Sequence, residues 1–468
     1  MPVKYQAYPE YKNAGINWLD EIPVDWEIMQ LKRTVDGCTN GIWGSEPNND
    51  GNDTIVLRVA DFDRPRLSLQ DDGYTYRNIE DKEKVTRRLK YGDLLLEKSG
   101  GGEKTLVGQV VLFDKEFEAV TSNFVAKMTP NSGFNSRFLN YVFSRFYNEN
   151  INYCSIKQNT GIQNLDSAAY LAEKFGFPQE GEQDKIANFL DHETAKIDTL
   201  IEKQQQLIKL LKEKRQAVIS HAVTKGLNPN APMRDSGVKW LGEVPEHWEM
   251  VPLKYLCKFS GGGTPSKDNL SYWNGGNIPW VSPKDMKTFW VSETQDKLTE
   301  RAVEESSTSY VEEGALLMVV RSGILQRTIP IAINTVRVTL NQDMKALKFN
   351  ERMNAEYAAN YIIGNVSSLL LEWSKEGATV ESIEQEYLSG SLMPIPPLDE
   401  QVAINEELKM RMTVFQSLED CAAKGIALLQ ERRTALISAA VTGKIDVRNW
   451  QAPEPSNPAK NNNKEVAA

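Results

Sequence analysis

The sequence contains no apolar run that is long enough to cross a membrane. Its longest purely apolar stretch is residues 315–320, whereas a membrane-spanning helix needs about 20 apolar residues. Residues 1–11 are polar and lack the apolar centre of a signal peptide. We therefore expect a soluble, cytoplasmic protein that has no membrane partner.

Cysteine and histidine are scarce. The 468 residues include four cysteines and three histidines. No two cysteines form a CxxC pair, and the histidines (His192, His221 and His247) do not cluster with the cysteines. Structural zinc sites and disulfide frameworks require such groupings. We therefore expect no metal site and ordinary reduced thiols.

An excess of positive charge is also missing. The chain has 54 Lys and Arg against 64 Asp and Glu, for a net charge of −10. This balance argues against a protein that merely coats nucleic acid, so any DNA binding must come from an uneven distribution of charge. The length and a hydrophobic content of 40% suggest a globular protein of two to four domains.

What the chain does contain is an internal repeat. WLDEIPVDWE at residues 18–27 returns as WLGEVPEHWE at residues 240–249, and QAVISHAVT at residues 216–224 returns as TALISAAVT at residues 434–442. The simplest account is two copies of about 220 residues each. A chain built from two similar copies predicts a pseudo-two-fold molecule, which suits a target or partners that come in pairs.

The first part of each copy mixes strand and helix signals. Residues 54–59, 108–113 and 329–338 are rich in β-branched residues and predict strands. Residues 137–147 and 356–371 predict helices. We therefore assign these parts to the α+β class. The four repeated tryptophans, Trp18, Trp26, Trp240 and Trp248, are interpreted as core residues.

Each copy ends in a long segment with a heptad stripe of apolar residues and no proline, which is typical of a coiled coil. The alternative is an amphipathic helix lying on its own domain. About 33 residues at ~1.5 Å each span ~50 Å, more than one small domain, which favours two helices that pack antiparallel on each other. The stripe comprises Ile186, Leu190, Ile197, Leu200, Leu207, Leu211 and Val218, then Ile404, Leu408, Phe415, Leu418, Ala422, Leu429 and Leu436.

These signals divide the chain into five segments. The predicted segments are a first globular domain (1–180), a first long helix (181–226), a second globular domain (227–397), a second long helix (398–446) and a disordered tail (447–468).

A search for catalytic motifs finds none. GGGEKT at residues 100–105 suggests a phosphate-binding loop, but the template needs glycine where Lys98 and Glu103 stand. IPPL at residues 395–398 lacks the acidic and aromatic members of an adenine-methylation motif. The isolated histidines do not support a catalytic triad. We interpret the chain as non-catalytic.

The loop at residues 98–105 has a counterpart in the second copy. Lys98-Ser99-Gly100 matches Arg321-Ser322-Gly323, and Lys104-Thr105 matches Arg327-Thr328. Basic residues around a small loop can contact phosphates or base edges; the alternative is a surface hairpin with solvated charges. A second matched pair, residues 158–164 and 376–382, carries amides that could read adenine; the alternative is a turn that enters a strand.

Several phrases resemble the specificity subunits of type I restriction-modification enzymes. GTPS at 263–266 and YWNGGNIPWVSPKD at 272–285 are similar to the opening of a target-recognition domain. PLDEQ at 397–401 and ERRTALIS at 431–438 are similar to the start and end of the family's long helix. The resemblance covers about residues 8–446.

The first copy departs from this pattern. It has GIW at residues 41–43 where the second copy has GTP, and FPQEGEQ at residues 177–183 replaces the usual proline-rich helix start. Divergence is expected if each half reads a different sequence. The DNA contacts of the first domain are correspondingly harder to assign.

The resemblance implies two α/β target-recognition domains separated by a long antiparallel two-helix coiled coil. Each domain would read one half of a bipartite double-stranded DNA site, and the helices would set the spacer. Two modification subunits would supply S-adenosylmethionine-dependent adenine-N6 methylation, and two restriction subunits would use ATP and Mg²⁺ for cleavage. This chain itself would bind no cofactor.

The candidate DNA contacts come from the matched loops, and rival functions remain open. The rivals are an orphan specificity protein without modification partners, a scaffold that binds proteins through its coiled coil, and a self-contained nuclease. The candidate residues are Lys98, Ser99, Lys104, Gln158, Asn159 and Gln163 in the first domain, with Arg321, Ser322, Gln326 and Arg327 in the second.

Overall fold

The computed structural model describes residues 5–49, 51, 53–101, 105–159, 161–374 and 381–452, without the side chain of Asn159. The chain divides into two compact units, Met1–Gln204 with Lys424–Ala468, and Gln205–Ala423. Each unit combines the globular part of one sequence copy with one half of each long helix. The two units are described separately below.

The first unit contains the strands and helices of the first copy. Its strands are β1 (Tyr11–Ile16), β2 (Leu19–Pro23), β3 (Glu27–Gln30), β4 (Thr39–Asn40), β5 (Thr54–Leu57), β6 (Phe62–Asp63), β7 (Ser68–Leu69), β8 (Thr75–Arg77), β9 (Leu94–Glu97), β10 (Ser99–Gly100), β11 (Val110–Leu112), β12 (Ala119–Thr121), β13 (Val125–Met128), β14 (Ile156–Asn159), β15 (Ile162–Leu165) and β16 (Lys174–Phe177). The helices that begin in it are α1 (Asp81–Lys84), α2 (Ser136–Asn148), α3 (Ser167–Leu171) and α4 (Glu180–Lys225).

The second unit has its own set of elements. Its strands are β17 (Met233–Asp235), β18 (Glu243–Pro245), β19 (Glu249–Pro252), β20 (Cys257–Gly261), β21 (Ile278–Val281), β22 (Trp290–Val291), β23 (Asp296–Leu298), β24 (Leu316–Val319), β25 (Ile331–Asn334), β26 (Thr339–Leu340), β27 (Met344–Phe349) and β28 (Leu392–Ile395). The helices that begin in it are α5 (Glu300–Glu305), α6 (Ala355–Gly364), α7 (Val366–Trp373), α8 (Gln385–Gly390) and α9 (Leu398–Val441).

Both units have the same sheet topology. The main sheets have the strand orders β11-β9-β13-β4 and β25-β24-β27-β20, with an additional edge strand β22 in the second. A smaller sheet in each unit, β12-β5-β8 or β26-β21-β23, joins one parallel pair to one antiparallel pair. The sequence repeat is therefore also a structural repeat, and the α+β assignment is confirmed.

Several strands of the two main sheets are largely apolar and fully buried, as expected for strands that are covered on both faces. Every residue of β9 (LLLE), β11 (VVL), β24 (LLMV) and β25 (IAIN) is buried. The predicted strands at 54–59, 108–113 and 329–338 correspond to β5, β11 and β25, and the predicted helix at 137–147 is α2. The predicted helix at 356–371 is two helices, α6 and α7, which are separated at Asn365.

The repeated Trp-Glu-Gln residues have matching partners in the two units. The buried Trp26 donates its indole N–H to Glu182 Oε1 at 2.9 Å, and Trp248 donates to Glu400 Oε2 at 3.1 Å. The glutamine that follows each glutamate accepts a hydrogen bond from the N-cap residue of a domain helix, Asn135 N–H at 3.0 Å or Asn354 N–H at 2.8 Å. The structural role that we predicted for these tryptophans is thereby explained.

Each long helix ends on a glycine with positive φ that lies against one of these tryptophans. Gly443 follows α9 at φ +74°, and a Cβ there would lie 2.4 Å from the ring of Pro23 and 3.4 Å from Trp26. Gly226 follows α4 at the same φ, and a Cβ there would lie 3.2 Å from Trp248. Glycine is the usual residue at this left-handed helix end.

The long helices pair in an antiparallel manner. In the first unit the beginning of α4 (Ile186, Leu190) shares a hydrophobic core with the end of α9 (Leu436), and Arg433 Nε donates to Asp198 Oδ1 at 3.0 Å. In the second unit the end of α4 shares a core with the beginning of α9, and that core is formed by Ile219, Ala222, Val223, Ile404 and Leu408. No helix among the described residues is both long and apolar enough to cross a bilayer.

The heptad stripe is buried only in part. Ile186, Leu190, Ile197, Ile404, Leu408, Ala422 and Leu436 are buried, as is the neighbouring Ile437, whereas Leu211, Val218, Phe415 and Leu429 are half-buried. Three predicted seam residues lie near the middle of the helices and are instead 44–47% exposed: Leu200, Leu207 and Leu418. The prediction is wrong for these three, because a helix pair without an overlying domain covers its seam incompletely.

The predicted disordered tail begins too early. Val447 is buried in the core of the first unit, and the Trp450 ring contacts Phe189 at a centroid distance of 5.5 Å. Residues 447–452 are therefore ordered, because their apolar side chains cover the first half of α4. Residues 453–468 lie outside the described part of the chain.

Candidate nucleic-acid interface

In the first domain the structure brings the two matched stretches of sequence together. Strand β10 (Ser99–Gly100) pairs with β15, which pairs with β14. Next to β10, Leu165 N–H donates to Lys98 C=O at 2.7 Å, and Lys98 N–H donates to Phe124 C=O at 2.8 Å. The loop at residues 98–101 therefore lies between the hairpin at residues 156–165 and the turn at residues 122–125.

The second domain repeats this arrangement. Ile383 N–H donates to Val320 C=O at 2.9 Å, and Val320 N–H donates to Asp343 C=O at 2.9 Å. Arg321 forms a bridge opposite Ser382. In the first domain the two matched stretches are thus neighbours, and in the second domain the described part of the second stretch, residues 381–382, lies beside the loop in the same way.

The hydrogen bonds correct the alignment of the two loops by one residue. Lys98 and Val320 make equivalent backbone hydrogen bonds, so Arg321 corresponds to Ser99 rather than to Lys98. A shift of one residue on a strand turns the side chain to the opposite face. At the shared position the second domain has the buried Val320. The first domain has Lys98 there, which is half-buried and donates to Asn40 Oδ1 at 2.7 Å.

The candidate contacts of the first domain fall in different environments. Gln158 is exposed on β14, and Ser99 donates its hydroxyl to Asn164 Oδ1 at 2.5 Å. Gln163 is 4% exposed, and its Oε1 accepts from Val107 N–H at 3.1 Å. The structure therefore gives Gln163 a role inside the domain and not at a DNA-reading surface. Lys104 and the side chain of Asn159 lie outside the described residues.

The candidate contacts of the second domain are mostly at the surface. Arg321, Gln326 and Arg327 are exposed. Ser322 is half-buried, and its hydroxyl accepts from Ile324 N–H at 3.4 Å at the start of the 3-10 turn Gly323–Gln326. Ser322 thus caps a turn that presents the two arginines, and its contact with DNA stays a prediction.

A second pair of matching turns was missed in the sequence. Asp61 Oδ2 accepts from Arg58 N–H at 2.7 Å at the start of the 3-10 turn Val59–Asp61, and Asp285 Oδ2 accepts from Ser282 N–H at 2.9 Å at the start of Pro283–Asp285. Each turn follows a strand that takes part in a parallel pair: β5 in the first domain and β21 in the second. The available signal was an aspartate four residues after the strand end and three residues after the residue that precedes the turn, which is the spacing of the acidic member of a capping box.

Close backbone packing explains one pair of glycines beside these turns. A Cβ on Gly41 would lie 2.1 Å from Thr121 C=O, and one on Gly262 would lie 1.9 Å from Asn341 C=O. No side chain fits at either position. The residues that follow, at 42–43 and 263–264, are thereby held against the turns at 122–124 and 341–343 in both domains.

A buried ion pair lies beneath the loop of the first domain. Arg64 Nη2 donates to Glu97 Oε2 at 2.8 Å, and the Glu97 side chain is 1% exposed. Burial raises the pKa of Glu97, and the Arg64 guanidinium opposes that shift. In the second domain burial lowers the pKa of Lys345, which lies on β27.

Comparison with protein families gives a match in both copies. The profile of the type I restriction modification DNA specificity domain matches residues 23–210 and 245–411. The Escherichia coli type I restriction enzyme EcoR124I/EcoR124II specificity subunit is 38% identical over 191 residues, which cover 41% of this chain and 46% of that protein. The putative type I restriction enzyme MjaX specificity subunit of Methanocaldococcus jannaschii is 22% identical over 454 residues, covering 96% of this chain and 100% of that protein.

Solved structures share the fold. A chain from a study of complex assembly and conformational transition of the type I R-M system superposes with a TM-score of 0.67 at 14% identity, covering 91% of this chain and 99% of that chain. The HsdS subunit from Thermoanaerobacter tengcongensis superposes with a TM-score of 0.51 at 15% identity, covering 91% and 98%.

Proposed function

This chain belongs to the family of type I restriction-modification DNA specificity subunits, and from that premise we propose that each of its two DNA specificity domains reads one half of a bipartite site in double-stranded DNA. One relative that is named as a specificity subunit covers 96% of this chain, and the family profile matches both copies. The proposal concerns what the two domains read and how they are used.

One observation carries the proposal: both domains place the same three backbone segments side by side, with different side chains on them. In the second domain these segments expose Arg321, Gln326 and Arg327. Arginine and glutamine are the side chains that pair in bidentate fashion with guanine and adenine in the major groove. Two equivalent surfaces with different chemistry are what two unlike half-sites require.

The paired helices support a fixed spacer between the half-sites. α4 has 46 residues and α9 has 44, so each helix is on the order of 65–70 Å long at ~1.5 Å per residue. One DNA turn is about 34–36 Å. A helix pair of this length can hold two reading domains on one face of the DNA, about one turn or more apart.

Apolar side chains on the long helices support docking of two modification subunits. Leu200 and Leu428 are exposed in the first unit, and Leu210, Met410 and Val414 are exposed in the second. Large apolar side chains that are exposed on a helix gain stability when a partner covers them. In this proposal the modification subunits cover these side chains and thereby complete the burial that the helix pair begins.

The chemistry is assigned to the partner subunits, and this chain is the non-catalytic component. Two modification subunits would methylate adenine at N6 with S-adenosylmethionine, and two restriction subunits would cleave DNA with ATP and Mg²⁺. The support is the family membership of this chain and the DNA-reading geometry of its loops, with no cofactor assigned to its own residues.

The test is to map methylated adenines after co-expression of the full chain with a modification subunit. We expect one split motif with a constant gap. Inserting one heptad into α4 after Gln204 and one into α9 after Ala423 lengthens each helix by about 10 Å. The gap should then grow by about three base pairs at ~3.4 Å each, with both half-sites unchanged.

The controls separate reading from folding. Arg321→Ala with Arg327→Ala should relax one half-site and leave the other half-site and the gap intact. A methylated motif without a gap, or a gap that ignores the heptads, would contradict the spacer. A purified complex that retains no split-site DNA at low salt would instead favour the protein-binding scaffold.

A further inference from the structure

The first domain has an apolar cavity beside its candidate reading loop. The cavity has a volume of about 560 Å³ and is open to solvent on the surface of the domain. Its lining residues include Ser99 and Gly100 of the loop together with Trp43, Val59, Phe124 and Ile162. The cavity therefore lies where the three matched segments meet.

Two large apolar side chains stand on opposite sides of strand β10. Phe124 lies on the side where its carbonyl accepts from Lys98 and Ser99 N–H, at 2.8 Å and 3.3 Å. Ile162 begins β15, which pairs with β10 on the other side. Phe124 is 52% exposed and Ile162 is 53% exposed. Half-exposed apolar residues on both sides of a narrow strand form a surface that gains stability when another apolar group covers it.

Trp43 forms a fixed wall of the cavity. The Arg77 guanidinium lies 4.7 Å from the centre of the Trp43 ring and donates to Glu46 Oε2 at 2.7 Å. A cation over the face of an indole is attracted by the negative face of the ring. The wall is therefore held in place before any ligand binds.

The same position in the second domain is polar. Ile42 and Gly263 donate equivalent backbone hydrogen bonds, to Thr121 C=O at 2.7 Å and Leu340 C=O at 2.8 Å, so Thr264 replaces Trp43. By the hydrogen bonds given above, Asp343 replaces Phe124 and Arg321 replaces Ser99. The counterpart of Ile162 lies outside the described residues. Where the first domain offers apolar surface, the second offers a hydroxyl, a carboxylate and a guanidinium.

We propose that Phe124 and Ile162, against the wall of Trp43, read the C5-methyl group of thymine in the half-site of the first domain. The inference rests on the proposed function and adds the chemistry of its first reader. In the major groove a methyl group distinguishes thymine from the other bases, and apolar side chains recognise it. The second domain reads its half-site through charged and polar contacts at the same structural position.

The test uses the complex of the full chain with its modification subunits and synthetic duplexes that carry the mapped site. Each thymine is replaced in turn by deoxyuridine, which lacks only the methyl group, and affinity is measured by fluorescence anisotropy. In one half-site at least one replacement should weaken binding about four-fold or more, because a factor of about four corresponds to the transfer free energy of one methyl-sized group. Phe124→Ala should weaken binding to the normal site by a similar factor and abolish the effect of that replacement.

Matched variants make the outcome decisive. Ile162→Ala is the second reading variant, and Tyr91→Ala removes another exposed aromatic residue of the same unit that does not line the cavity. Tyr91→Ala should keep the full deoxyuridine effect. Replacing a cytosine by 5-methylcytosine tests the other source of a C5-methyl group, and we expect no gain in affinity.

Failure of this inference differs from failure of the proposed function. If no split motif is found, the proposed function is wrong. If a motif is found but deoxyuridine has no effect in either half-site, or its effect persists in both Phe124→Ala and Ile162→Ala, the inference alone is overturned. A first half-site that consists only of G·C pairs, or a gain from 5-methylcytosine instead of thymine, would overturn it as well.

Discussion

Replacing Glu182 by alanine should destabilise the first unit by about 3 kcal/mol. Glu182 Oε1 accepts from Trp26 Nε1–H at 2.9 Å and from the Tyr8 hydroxyl at 2.6 Å. Trp26 is 1% exposed and Tyr8 is 6% exposed, so solvent does not reach these donors in the folded protein. A buried donor that loses its acceptor costs about 1–3 kcal/mol, and Glu182→Ala removes the acceptor of both. Burial and the hydrogen bond to Glu182 also raise the pKa of Tyr8, so its hydroxyl remains a donor at neutral pH.

The measurement is urea unfolding of the full chain, followed by tryptophan fluorescence. Glu182→Gln keeps an acceptor oxygen in the same place and should cost no more than about 1 kcal/mol. Glu400→Ala is the matched variant in the second unit, where the glutamate accepts from Trp248. Equal losses for Glu182→Ala and Glu182→Gln would show that the two hydrogen bonds do not stabilise the unit, and the explanation of the repeated Trp-Glu pair would fail.

Three further outcomes follow from the structure. Gly425 lies in the middle of α9 and an added Cβ would have nothing within 4 Å, so Gly425→Ala should raise the free energy of unfolding by about 0.5–1 kcal/mol. Gly443 has φ +74° and lies against Pro23, so Gly443→Ala should lower the free energy of unfolding by more than about 1 kcal/mol. A change of the same sign for both variants in thermal unfolding would refute the argument. Burial raises the pKa of Cys38 to about 11 and that of Cys257 to about 12. Because the thiolate is the reacting form, a disulfide reagent at pH 8 should modify the exposed Cys154 and Cys421 quickly and Cys38 and Cys257 slowly. Equal rates for all four thiols would contradict this. Trp450→Ala removes ring contacts with Phe189 and His192 at centroid distances of 5.5 Å and 5.4 Å, and it should cost about 2 kcal/mol and speed proteolysis at residues 445–452, while unchanged proteolysis would place the segment outside the fold.

The repeat and the family could be predicted from the sequence because the residues that carry them are buried and tightly partnered. In each copy the tryptophan donates to the glutamate, and the glutamine beside that glutamate accepts from the N-cap residue of a domain helix, so the same set of side chains has the same partners in both units. The long helices were predictable for a related reason: the residues at their ends are core residues of the units. α4 spans Glu180–Lys225 and α9 spans Leu398–Val441, so each helix continues past both ends of its apolar stripe, which covers residues 186–218 and 404–436.

The middle of the helices and the tail could not be predicted by the same reasoning. Periodicity places Leu200 and Leu207 on the apolar face of α4 and Leu418 on the apolar face of α9. It does not show whether another element covers either face. In the tail, Val447 and Trp450 are isolated apolar residues among polar ones, and isolated apolar residues carry no periodicity. Only the neighbouring surface of α4 makes them part of the core.

Comparison of the two sequence copies does not identify the candidate reading surface. The physical reason for this also indicates where that surface lies. A gap-free alignment places Lys98 opposite Arg321, whereas the backbone hydrogen bonds place Ser99 opposite Arg321, and a strand that slips by one residue exchanges its buried and exposed faces. Side chains at the surface of an equivalent backbone are less constrained by packing than core side chains, so the half-buried Trp43 can correspond to Thr264, and the exposed Phe124 to Asp343. Positions where the two backbones coincide and the exposed side chains differ are therefore the positions that can distinguish one half-site from the other.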